Sequence, residues 1–157
     1  MSIGPIRGGA PVGFVEELGP VEAGAVLYLR LWSDGPSGQT TMFHGLTDAF
    51  GLDEGRRLMN TFGDLVLLCA QEGRRRLMRH RVGCPCLGGD ESCFANFVGY
   101  AAEGLHDDAM FIAATFLIPH SCPRAVALAN EFGMALGRMK HQPVLPAATT
   151  PAPAMVQ

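Results

Sequence analysis

The residues with the most chemical potential lie in one short stretch, His80-Arg-Val-Gly-Cys84-Pro-Cys86-Leu-Gly-Gly-Asp90-Glu-Ser-Cys93. Three of the five cysteines fall here, and a histidine stands four positions ahead of the first. Zinc takes thiolate and imidazole ligands, and a structural site wants four of them held tetrahedrally by a rigid turn. His80, Cys84, Cys86 and Cys93 supply such a set, and Pro85, Gly88 and Gly89 would bend the chain between them. The pattern predicts a metal site, zinc by ligand type, that clamps two helices at their elbow. Cys-x-Cys is a tighter bite than the common Cys-x₂₋₄-Cys pair, and no iron–sulfur spacing matches. Cys122, beside His120, is an alternative ligand if the last helix starts near the loop.

The same residues support a redox reading. Nearby cations and helix N-termini favour thiolates. Arg79 and Arg81 precede the loop, and Cys93 falls in the first turn of a helix. Cys86 and Cys93 would pair on oxidation, with Cys84 as competitor. The plain alternative is packing, because unliganded cysteine is among the most buried residue types. Cys69 fits that alternative best, since it lies on an apolar helical stripe.

Arg74, Arg75, Arg76, Arg79 and Arg81 form a basic run with no acid among them. Such a run suits phosphates or nucleic acid. Against this stand the net charge of −3 and the lack of aromatic residues among the arginines. A solvated helix end, with Glu72 paired to Arg76 one turn on, is the simpler reading. No catalytic residue is assigned. There is no Gly-x-Ser-x-Gly elbow, no Walker loop and no dinucleotide fingerprint. Asp107 and Asp108 beside His106 sit where a helix N-terminus collects acids. His44, between Phe43 and Gly45, reads as a packed or surface histidine. Enzymatic activity is therefore not indicated.

The elements that must position these groups read as helices. Residues 20–32 follow Pro20 and end at Ser33-Asp-Gly-Pro36. Their apolar pattern also fits a buried strand, but no partner strand is evident, so helix is expected. Ser37 would cap a helix to Phe50. Asp53 would cap a long one whose Leu58, Phe62, Leu65, Val66 and Cys69 share a face. That pattern runs on to about His80, giving a helix of about 40 Å. Asp90 is placed as N-cap of the next, with Phe94, Phe97, Val98, Ala101 and Ala102 on one face and Gly104 as its stop. Two more follow, from His106 with Ala109, Ile112, Ala113 and Phe116, and from Ser121 with Val126, Ala129, Phe132 and Leu136. The expected fold is an all-α bundle of five to six helices over residues 20–140. An irregular arm (1–19) precedes it, and a disordered Pro/Ala tail (141–157) follows.

The chain of 157 residues is long enough to bury a real core. Only 17% of residues are charged, below the ~25% of typical soluble domains. With the Gly133-x₃-Gly137 pair, this points to a homodimer or a protein partner. Arginine supplies the basic residues apart from Lys140, as in GC-rich bacterial genomes. No apolar run reaches the ~20 residues that span a bilayer. No signal-like segment opens the chain, so a cytoplasmic protein without membrane association is expected. The leading functional expectation is a small bacterial regulatory or assembly protein with a zinc-type elbow. The alternatives are a redox-responsive thiol protein, a nucleic-acid-binding regulator using the arginine run, and a small-ligand-binding bundle.

Overall fold

The computed structural model describes residues 7–139. The expected tail, 141–157, lies outside the described residues. Six α-helices carry the fold: α1 (Pro20–Ser33), α2 (Pro36–Phe50), α3 (Leu52–Glu72), α4 (Gly89–Ala102), α5 (His106–Phe116) and α6 (Cys122–Arg138). It is an all-α bundle. A two-stranded antiparallel sheet sits at one end, pairing β1 (Pro11–Phe14) with β2 (Cys86–Gly88). The arm expected to be irregular thus supplies a strand, with Gly13 opposite Leu87 and Phe14 opposite Cys86.

The 20–33 segment is helical, and its burial explains why its periodicity is ambiguous. Every residue from Gly24 to Leu31 is buried. A helix covered on all sides carries no polar stripe. Its neighbours are α2, α4 and α6. Pro20 opens it at a position where a missing N–H costs nothing. The links to α2 and α3 are very short, and each turns on a glycine of positive φ, Gly35 at 86° and Gly51 at 87°. A side chain at either would be strained. Glycine therefore stands at the N-cap of α2 and α3, in place of the expected Ser37 and Asp53 caps.

The core is aromatic. Tyr28, Phe62, Phe94, Phe97, Phe116 and Phe132 are nearly or fully buried. Phe62 lies at its centre, with ring centroids 4.7 Å from Phe132, 5.9 Å from Trp32 and 6.4 Å from Phe94. Burying each such ring contributes roughly 1.5–3 kcal/mol. Gly133 lets α6 approach α4: a Cβ there would stand 2.8 Å from the Ala102 Cβ and 3.0 Å from the Val98 carbonyl. That glycine is used inside one chain rather than kept for a second copy.

The long helix is shorter than expected. α3 stops at Glu72, and residues 74–81 form a non-helical strap. The backbone groups of this segment are claimed by other partners. Gly73 bridges Leu117, Ile118 N donates to Glu72 O, and Arg74 N donates to Phe116 O. Further on, Met78 N donates to Asp90 and His80 N to Glu91. Glu72 consequently faces His120, at 3.9 Å, rather than forming an ion pair with Arg76. α4 also starts differently: Gly88 is its N-cap, and Asp90 lies buried in the first turn. No helix among the described residues is long and apolar enough to cross a membrane.

Candidate functional site: a thiol–imidazole pair on a braced loop

Arg30 is the one basic residue in the buried run of α1, and it is 2% exposed. An unpaired guanidinium there would be prohibitively costly. Glu91, on the first turn of α4 and fully buried, answers it in a two-pronged pair: Nε to Oε1 at 2.7 Å and Nη2 to Oε2 at 2.9 Å. The remaining donors of Arg30 hold the cysteine loop by its backbone. Nη1 donates to the carbonyls of Arg81 (3.2 Å) and Cys84 (2.7 Å), and Nη2 to that of Cys86 (2.7 Å).

Glu91 also accepts from His80 N at 2.9 Å and Gly88 N at 3.0 Å. Burial alone pushes its carboxyl up. Hydrogen bonds from Arg30, Gly88 and His80, with the Arg30 charge, outweigh that and hold it below the usual carboxylate range. Asp90, 1% exposed, ties the strap from the other side through Met78 N (2.7 Å) and the Arg75 guanidinium (2.5 Å). Between them, these two carboxylates and one guanidinium bond five backbone groups of residues 74–86: the N–H of Met78 and His80 and the carbonyls of Arg81, Cys84 and Cys86.

The brace presents one thiol–imidazole pair. His80 Nε2 lies 2.9 Å from the carbonyl oxygen of Gly9, and Nδ1 lies 3.6 Å from Cys84 Sγ. A carbonyl only accepts, so Nε2 carries the proton. In the neutral ring Nδ1 then holds the lone pair, and the Cys84 thiol donates to it. This is the geometry of a nucleophile, a base and a third group that orients the base.

The four residues expected to bind zinc divide. His80 and Cys84 meet. Cys93 contacts the Thr115 hydroxyl, at 3.5 Å. Cys86 lies in β2, its carbonyl held by Arg30. No group of three or more His, Cys, Asp or Glu side chains gathers as a metal cage among the described residues. Cys122 is buried and directed at the Ile118 carbonyl. Burial pushes its thiol up, against a smaller opposing pull from Arg74. Burial drives Cys69 to about 12.

The arginines do not share a helix face, because the strap is not a helix. Arg74 Nε donates to the Leu117 carbonyl at 3.0 Å, Arg75 pairs with Asp90, and Arg79 reaches the Ser33 carbonyl at 3.3 Å. Arg81 contributes its backbone carbonyl to Arg30. Arg76 is exposed and has no ion-pair partner among the described residues.

Sequence reasoning missed Arg30 and Glu91. The available signal was a single cation inside the otherwise apolar run Ala25–Leu31, which demands a buried anion elsewhere. Asp90-Glu91 after Gly88-Gly89 reads as ordinary helix capping and hides that anion. Comparisons with protein-family models, curated proteins and solved structures find no match to this chain.

Proposed function

We propose that this protein is a redox-responsive thiol protein whose reacting group is Cys84. The observation that carries this reading is the Cys84–His80 pair, with the imidazole fixed on the Gly9 carbonyl. The oxidant class is a hydroperoxide. Cys84 Sγ attacks the distal peroxide oxygen, forming the S–O bond as the O–O bond breaks. The thiol proton passes to His80 Nδ1 and then to the departing oxygen. Sulfur loses two electrons and the peroxide gains them, leaving a sulfenic acid and an alcohol or water. The loop's carbonyls are fixed by Arg30, so the added oxygen is felt by the strap and by the start of α4. That coupling suits regulation.

Mild peroxide treatment followed by a sulfenic-acid trap tests the reading. The adduct is expected on Cys84, and His80→Gln should slow its formation roughly 10²-fold, the low end for loss of a general base. An adduct spread evenly over the cysteines, with His80→Gln reacting like the parent, would end it.

One observation favours zinc as a second reading. An imidazole anchored through Nε2–H on a carbonyl is the usual arrangement of a metal-bound histidine. Cys86 and Cys93 would then have to move to the His80–Cys84 pair. Metal near one equivalent per chain in untagged protein, lost in Cys93→Ser, supports this reading. Substoichiometric metal in protein never exposed to chelator removes it.

A further inference from the structure

A recess of about 450 Å³ opens between α1, α3 and the strap, within the size range of small-ligand sites. Its floor is apolar, formed by Leu29, Val66, Leu77 and Phe94. Its rim carries Arg75, Arg76 and Arg79, and no acidic residue lines it. Arg75 is committed to Asp90, whereas Arg76 has no ion-pair partner among the described residues and Arg79 makes one contact, with a backbone carbonyl. A second recess shares Val66 and Ala70 with the first and continues along α3 to Trp32, Met59 and Leu67, with Asp64 as its acidic residue. The two recesses adjoin at Val66 and Ala70, and the pair, here called the groove, has cations at the end formed by the first.

We propose that this groove binds a single-chain amphiphile, its carboxylate or phosphate head on Arg76 and Arg79 and its apolar tail over Val66 toward Trp32. Guanidinium groups suit both heads because they present paired donors to paired oxygens. Neither His80 nor Cys84 lines the groove. An apolar occupant without charge would leave the rim arginines facing only water, and a free phosphate would leave the floor wet. The combination of floor and rim selects a molecule with both parts.

Trp32 is the single tryptophan of the chain and lines the groove, so its fluorescence reports occupancy. The full chain is titrated with decanoate and with decyl phosphate, each below its micelle threshold. Parallel titrations use decanol, inorganic phosphate and anionic phospholipid vesicles. A saturable change with either charged amphiphile is expected, and the tighter of the two names the head. Arg76→Gln and Arg79→Gln should each weaken it roughly tenfold, as loss of one charge-assisted hydrogen bond does. Arg56→Gln, outside the groove lining, should leave it unchanged. Decanol or inorganic phosphate binding as tightly as decanoate would overturn the proposal. So would a response confined to vesicles, which would assign the arginines to a membrane surface instead.

Discussion

The aromatic core and the Arg30–Glu91 brace beneath the strap are both buried, but they are held by opposite physics. Around Phe62, mainly apolar side chains fill space, and stability follows from area removed from water. Around Arg30 the chain has given up helical hydrogen bonds. It replaces them with one guanidinium and two carboxylates that reach backbone groups far apart in sequence. The core tolerates approximate fits. The strap does not, because a missing partner leaves a buried charge or a buried N–H unpaired. The Cys84–His80 pair proposed to react sits on this polar scaffold, whose geometry is fixed by direction as well as by volume.

The largest expected effect comes from removing the guanidinium. Arg30→Met strands Glu91 and three carbonyls, and should cost about 3–5 kcal/mol in denaturant unfolding. An isolated buried ion pair is often replaced by apolar residues without loss. Here the double variant Arg30→Met with Glu91→Leu should not recover stability, since His80 N and Gly88 N also lose their acceptor. Recovery would show that the pair matters only to itself.

Phe62→Ala should cost a similar or slightly smaller amount, about 3–5 kcal/mol, by leaving a cavity. The informative contrast is local. Hydrogen exchange should quicken throughout the bundle in Phe62→Ala, but first at Met78, His80 and Gly88 in Arg30→Met. Indistinguishable exchange patterns would erase the distinction between the two regions.

A smaller effect comes from acid. The Glu91 carboxyl titrates lower in the folded protein than when unfolded. Its contribution is therefore complete above the unfolded value of about 4.3 and is lost as pH falls through the folded value. Stability should drop more steeply below about pH 4.3 in the parent than in Glu91→Gln. Equal slopes would remove Glu91 from the account.

The two regions also differ in how far the sequence reveals them. Phe94, Phe97, Val98 and Ala101, like Val126, Ala129, Phe132 and Leu136, follow helical spacing, and all are buried. The same logic carried α3 too far. Leu77 and Met78 continue its periodicity, but tertiary acceptors on α4 and α5 take over the backbone after Glu72. Periodicity registers side chains, and it is blind to a backbone N–H claimed by a distant carboxylate. At the site, the sequence drew attention to the segment that carries the His80–Cys84 contact. Its four-ligand grouping came from proximity along the chain, and with the loop bound at Cys84 and Cys86 by Arg30 no three such side chains gather among the described residues. The scaffold itself was legible only as a lone arginine among apolar residues.

The most direct measurement is the alkylation rate of each of the five cysteines in the native protein, resolved by mass spectrometry, in the parent and in His80→Gln. Cys84 should react fastest and lose that lead when the imidazole is removed, while Cys69 and Cys122, whose thiols burial holds protonated, react slowest. A Cys84 no faster than Cys122, or one whose rate ignores His80→Gln, would contradict the reactive pair.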